Sequence, residues 1–80
     1  MPTVLQVGPY RFFFYSADRD EPPHIHVSRD RSSAKFWLNP ATLARSRGFA
    51  PAEVRSIQKI VEQNELLLLD AWNDFFNLNP

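Results

Sequence analysis

Cysteine is absent from this chain of 80 residues, so no disulfide can stabilise it. The absence fits a reducing compartment, and we expect a cytoplasmic protein. No wholly apolar run is longer than Leu66 to Leu69, which is far too short to span a bilayer. No basic region followed by an apolar run indicates a signal peptide. We therefore expect no membrane association.

Net charge is also absent, because nine basic residues balance nine acidic residues. Non-specific nucleic-acid binders are usually basic overall, so this balance counts against general polyanion binding and leaves a local basic patch open. The sequence also lacks internal repeats, a glycine-rich phosphate loop and an assignable Ser-His-Asp set. Any chemistry must therefore come from other residues.

Aromatic residues are abundant and help to compensate for the short length. Residues 1–80 predict one domain, which buries only roughly 60–65% of the surface that its unfolded chain exposes. Large rings bury much area per residue, and rings that one small core cannot hide would mark a partner surface. The rings are Phe12, Phe13, Phe14, Phe36, Phe49, Phe75, Phe76, Trp37, Trp72, Tyr10 and Tyr15.

Strand-forming segments fill residues from about 3 to 38 and are separated by turn signals. Because strands that are consecutive in sequence usually pair, these segments predict a four-stranded antiparallel meander. The predicted strands are Thr3–Val7, Tyr10–Ser16, His24–Arg29 and Ala34–Leu38.

Helical signals follow, from about residue 40 to 77. Asn39 as an N-cap and a proline in the first position predict a short helix over Pro40–Arg47. Apolar residues at helical spacing predict a long C-terminal helix from Pro51 to about Asn77, with Asn64 as the point where it could break. Strands followed by helices predict an α+β fold with the helices packed on one face of the sheet.

The two histidines of the chain lie two residues apart in the third predicted strand. Side chains alternate across a sheet, so His24 and His26 point to one face while Ile25 and Val27 point to the other. Imidazoles titrate near neutral pH, which makes this pair the best candidate for chemistry in the chain.

Three interpretations of the histidine pair stay open. As general acid and base, the pair would cleave a phosphodiester without any metal or other cofactor, with Arg11 and Lys35 stabilising the developing charge. As metal ligands, the histidines would need a third group from the acidic loop: Asp18, Asp20 or Glu21. As ordinary polar residues of a half-exposed strand, they would only be hydrogen-bonded to their neighbours.

Basic and aromatic residues are interleaved in the same strands. Four cations would hold the phosphates of RNA, and Tyr15 and Trp37 would stack its bases. The cations are Arg11, Arg29, Arg31 and Lys35. The alternative is a solvated sheet face whose cations pair with acidic residues.

Several motifs resemble those of a family of small bacterial proteins. They are Met1–Val4, Tyr10–Ser16, Pro22–Val27, Ala34–Leu38, Gly48–Phe49 and Ala71–Trp72. The family is the one catalogued as domain of unknown function 4160, and the resemblance covers nearly the whole chain. The Pro22–Val27 motif is quite specific to that family.

The resemblance implies a cytoplasmic bacterial protein that binds a small cognate partner protein encoded beside it, as in a toxin–antitoxin module. It carries no established catalytic residues. Two functions follow as expectations: a toxin that cleaves RNA, hence a hydrolase, or a non-enzymatic, antitoxin-like interaction or regulatory module. A metal-binding domain built on His24 and His26 is the third, and assembly into a homo-oligomer stays open.

Overall fold

Five strands form one antiparallel sheet in sequence order, and two helices follow, in the computed structural model, which describes residues 3–78. The strands are β1 (Thr3–Val7), β2 (Tyr10–Phe13), β3 (His24–Arg29), β4 (Ser32–Trp37) and β5 (Thr42–Arg47). A 3-10 helix, Ser16–Asp20, joins β2 to β3, and the helices are α1 (Pro51–Gln63) and α2 (Glu65–Phe75). The α+β class and the order of strands before helices are confirmed.

The predicted short helix Pro40–Arg47 is wrong, and so is the count of four strands. Asn39 adopts a left-handed conformation with φ of 62°, and the chain reverses in a turn where the prediction placed a helix start. Residues Thr42–Arg47 then pair antiparallel with β4. All six residues of β5 are exposed at the sheet edge, so no alternation of buried and exposed residues marks them as a strand.

Smaller corrections concern the ends of two strands and the long helix. Strand β2 ends at Phe13 and β4 runs from Ser32 to Trp37, each shifted from its prediction. The long helix breaks at Asn64, whose side-chain amide donates a hydrogen bond of 2.8 Å to the carbonyl oxygen of Ile60. The result is two helices in place of one.

The hydrophobic core lies between one face of the sheet and the two helices. Alternation along the strands turns Phe12, Ile25, Val27 and Phe36 toward the helices, and all four are fully buried. The helices contribute four further buried side chains: Ile57, Val61, Leu68 and Trp72. Within residues 3–78, neither helix is long and apolar enough to cross a membrane.

A β-bulge changes which side of the sheet the residues of β5 face. Lys35 pairs with Arg45, but its neighbour Phe36 pairs with Leu43, so Ala44 is an extra residue in β5. Without it, Leu43 and Arg45 would share a face because they are two residues apart. With it, Leu43 shares the face of Phe36, and Arg45 shares the face of Lys35. We call that second side, which faces away from the core, the polar face.

Candidate functional site: an Asp–His–His cluster beside a cationic cleft

The 3-10 helix places the carboxylate of Asp18 next to both histidines. One carboxylate oxygen, Oδ2, accepts hydrogen bonds from the backbone N–H of Tyr15 at 2.8 Å and from Nε2 of His26 at 2.9 Å. The other oxygen, Oδ1, lies 3.2 Å from Nε2 of His24. All three side chains are buried, and we call them the Asp–His–His cluster.

The protonation of His24 is constrained by the backbone. Its Nδ1 lies 2.9 Å from the carbonyl oxygen of Pro22, and because a carbonyl only accepts, Nδ1 carries the proton. Its Nε2 is buried and has no hydrogen-bond partner in the described residues, although it lies near Asp18. In the neutral ring, a nitrogen lone pair and a carboxylate oxygen therefore lie 3.2 Å apart with no proton between them.

Aromatic rings enclose the cluster. His24 is 0% exposed, with the rings of Trp72 and Trp37 centred 5.1 and 5.6 Å from its own. His26 retains 9% of its surface, and the ring of Tyr15 lies 4.6 Å from it. Both imidazoles project to the same side of the sheet, but only His26 reaches the surface.

Burial and the mutual contacts set the charges of the cluster. Burial is the largest influence on His26 and lowers its pKa despite the nearby carboxylate of Asp18, so its ring is neutral at pH 7. Burial by itself would raise the pKa of Asp18, but the Tyr15 N–H and the two imidazoles outweigh it and lower that pKa. The site therefore presents a carboxylate and, at His26, a neutral imidazole.

A cleft of about 360 Å³ opens on the polar face beside the cluster, and we call it the polar-face cleft. His26 forms part of its wall, together with Tyr15 and Lys35. Arg45 and Arg47 of β5 line it as well. One imidazole of the cluster thus borders a concave surface that is rich in cations.

The structure brings several of the predicted site residues together. Lys35 donates a hydrogen bond to Glu21 and lies 4.5 Å from the ring centre of Trp37. The Arg11 guanidinium lies 4.4 Å from the ring centre of Phe13, which lines the polar-face cleft. These side chains share the polar face with the histidines.

Arg29 lies on the other side of the sheet. Its guanidinium makes two hydrogen bonds to the carboxylate of Glu53 on α1, at 2.8 and 2.9 Å, and the same carboxylate accepts a bond from the Tyr10 hydroxyl. The alternation of β3 accounts for this, because Arg29 is two residues from Val27 and therefore points to the same face as Val27, opposite to His26. Arg29 is therefore absent from the cluster and the cleft.

Sequence reasoning missed six residues that line the polar-face cleft: Phe13, Ser33, Ala34, Arg45, Ser46 and Arg47. Both arginines fell within the helix predicted over Pro40–Arg47, so they were not considered as neighbours of the strand residues. The signal that could have identified them is the pair of arginines two residues apart after a turn, which in a strand places both on one face.

These features define a class: an α+β protein with a meander sheet whose polar face carries a buried Asp–His–His cluster at the edge of a cationic cleft. The chain belongs to the family described as Domain of unknown function (DUF4160), which matches residues 10–73. That span contains the cluster and every residue of the polar-face cleft. Comparisons with curated proteins and with solved structures found no match.

Proposed function

We propose that the Asp–His–His cluster binds a divalent transition-metal ion. The observation that carries the proposal is the buried Nε2 of His24, which has no hydrogen-bond partner in the described residues and lies 3.2 Å from a carboxylate oxygen. When the His24 ring is neutral, two lone-pair donors face each other in a dry site and repel, and a cation between them would turn that repulsion into coordination.

The spacing of the donor atoms supports a single ion. One nitrogen or oxygen from each residue of the cluster lies within 4.8 Å of the others. Two ligands held about 2.1 Å from one ion at a tetrahedral angle are roughly 3.4 Å apart. The short contacts start from different oxygens of Asp18, 3.2 Å from Oδ1 to His24 and 2.9 Å from Oδ2 to His26, so a single ion at this separation would engage both carboxylate oxygens.

The surroundings of the histidines also match those of metal ligands. Ligating histidines usually donate their second ring N–H to a carbonyl or carboxylate, as His24 does to Pro22. His26 would coordinate after its proton moves from Nε2 to Nδ1, which leaves the ring neutral. Two imidazoles and one carboxylate suit Zn²⁺ or Fe²⁺, and such an ion would supply Lewis acidity or an activated water at the wall of the cleft.

Calorimetric titration of chelator-treated, tag-free protein with Zn²⁺ tests the proposal. We expect one ion per chain, and we expect Asp18→Asn to weaken binding at least about tenfold because a neutral amide oxygen is a poor ligand. Asp20→Asn is the matched control: it removes an exposed carboxylate from the same 3-10 helix and should leave binding unchanged.

Nitrogen NMR of the His24 ring provides a readout that needs no variant. Coordination should shift the Nε2 resonance and leave Nδ1–H bonded to Pro22. Equal binding by Asp18→Asn and Asp20→Asn, or a wild-type Kd above about 0.1 mM, would show that the cluster is only a hydrogen-bonded part of the structure.

Metal-independent cleavage of RNA by the histidine pair remains a prediction that the geometry supports less well. A general acid or base must reach its substrate, and His24 has no exposed surface. Only His26, with Lys35 beside it in the cleft, could contact a phosphodiester. Growth inhibition by the isolated protein that survives His26→Gln would remove His26 from that role.

Binding to a small cognate protein is a second candidate function, favoured by the surface of α2. Leu66 and Leu67 are 79% and 49% exposed, on a helix that belongs to the core through Leu68 and Trp72. Co-expression with the product of the neighbouring gene tests it. A complex that forms with wild type and is lost with Leu66→Glu would support the proposal, and absence of any complex would refute it.

A further inference from the structure

The polar-face cleft concentrates positive charge that the protein itself does not neutralise. Lys35 is paired with Glu21, but Arg45 and Arg47 have no carboxylate partner among residues 3–78. The whole chain has no net charge, so this clustering is local. A concave surface with two unpaired guanidinium groups is suited to an anion.

The register of β4 and β5 places Arg45 beside Lys35 and puts Arg47 on the same face of the sheet. Arg45 lies directly opposite Lys35, and Arg47 lies opposite Ser33. Like charges directly opposite each other destabilise a sheet, and because Glu21 already offsets the charge of Lys35, the charge left for an anion to neutralise is that of Arg45 and Arg47. Guanidinium groups also match the geometry of phosphate oxygens, and the Ser33 hydroxyl adds a further donor.

Aromatic surface accompanies the cations in the same cleft. Tyr15 is 45% exposed and borders it, and the ring of Phe13 lies 5.3 Å from the Tyr15 ring. A planar base can stack on such a ring, whereas a sugar phosphate alone gains little from it. The volume of about 360 Å³ lies within the range of small-ligand sites.

We infer that the polar-face cleft binds a nucleoside phosphate, with the phosphate held by Arg45 and Arg47 and the base stacked on Tyr15. The ligand is a free nucleotide or the phosphorylated end of a single RNA strand, since both present the same chemistry. The inference does not rest on the proposed metal site, because none of these three residues belongs to the Asp–His–His cluster.

NMR titration of the protein in EDTA tests this inference separately from metal binding. The probes are adenosine 5′-monophosphate, ribose 5-phosphate, adenosine and a short RNA strand with a 5′ phosphate. We expect adenosine 5′-monophosphate to bind at least about fivefold more tightly than ribose 5-phosphate or adenosine, with the largest amide shifts in β4 and β5. A tighter RNA complex would identify the strand end as the source, and an equal or weaker one the free nucleotide.

A charge-matched pair of variants controls for general electrostatics. Arg45→Gln with Arg47→Gln should weaken binding of adenosine 5′-monophosphate at least about tenfold, because two charge-assisted contacts are lost. Arg31→Gln with Arg55→Gln removes the same charge from exposed positions outside the cleft and should change binding less than about twofold. Equal losses in both pairs, shifts spread over the whole surface, or ribose 5-phosphate binding as tightly as the nucleotide would overturn the inference.

Discussion

Replacing Asp18 by alanine should destabilise the protein by about 3 kcal/mol even when no metal is present. Asp18 ties the 3-10 helix to β3, because one of its oxygens holds both the Tyr15 N–H and His26. The change removes the acceptor for a backbone donor and for a buried imidazole at the same time.

The magnitude follows from those two hydrogen bonds. Each hydrogen bond to a charged acceptor contributes roughly 1.5–3 kcal/mol, and alanine avoids the desolvation that the carboxylate of Asp18 bears, which offsets part of the sum. In a domain of this size, 1 kcal/mol corresponds to roughly 4–8 °C in Tm. The expected fall in Tm is therefore roughly 12–24 °C.

Urea denaturation with EDTA in the buffer measures the loss of free energy of unfolding. Asp20→Ala, on the exposed side of the same 3-10 helix, should change it by less than about 0.5 kcal/mol. In a His26→Gln background, Asp18→Ala should cost about 1 kcal/mol less than in wild type, because the two residues are coupled.

A loss below about 1 kcal/mol for Asp18→Ala would refute the reasoning. It would mean that water replaces the carboxylate at Tyr15 and His26, so the cluster would not organise the 3-10 helix. Additivity of Asp18→Ala and His26→Gln would lead to the same conclusion, since independent residues cannot share a hydrogen bond.

Two further predictions concern the ion pair between Arg29 and Glu53 and the two glycines of the chain. The pKa of Glu53 is lowered from 4.5 first by the hydrogen bond from Arg29 and then by that from Tyr10, so the stability that Glu53 contributes is present above pH 4.5 and is lost as the pH falls through its folded-state pKa. The free energy of unfolding between about pH 5 and 3 should therefore depend less on pH in Glu53→Gln than in Glu62→Gln. Equal pH profiles would contradict this role of Glu53. Gly48 has φ of 90°, and a Cβ there would lie 2.5 Å from the Ser32 hydroxyl oxygen, whereas one at Gly8 would meet nothing within 4 Å. Gly48→Ala should therefore cost about 1–2 kcal/mol more than Gly8→Ala in urea denaturation, and equal costs would show that Ser32 yields freely.

The fold was predictable from the sequence wherever buried residues recur at a regular spacing along a strand or helix. The bounds of β1 and β3 match their predictions, and the helical spacing located α1 and the break at Asn64. Strand β5 could not be predicted because none of its residues is buried and its bulge interrupts the alternation. The capping signal at Asn39 and Pro40 was misleading, since asparagine is equally suited to the left-handed turn that forms there.

The candidate site was also predictable where its residues alternate along a strand, and unpredictable where they lie in a loop. Alternation placed both histidines on one side of the sheet, and the same rule applied to Arg29 would have placed that residue on the other. The contact from Asp18 depends on the path of the loop, and the sequence has no regular pattern there that predicts this path. The acidic loop therefore offered Asp18, Asp20 and Glu21 as a third ligand without a basis for choosing among them. The arginines of the cleft were hidden by the wrong assignment of β5.

The position of β5 at the border of the sheet has a consequence for solubility. Its outer backbone groups have no neighbouring strand in residues 3–78, and an unguarded border of this kind can recruit other chains into aggregates or fibrils. Charged side chains and a local distortion of the strand are common safeguards, and Arg45, Arg47 and the extra Ala44 provide both. Variants that neutralise the two arginines should therefore be stored dilute and checked for multimers, because they remove the charges from this edge strand.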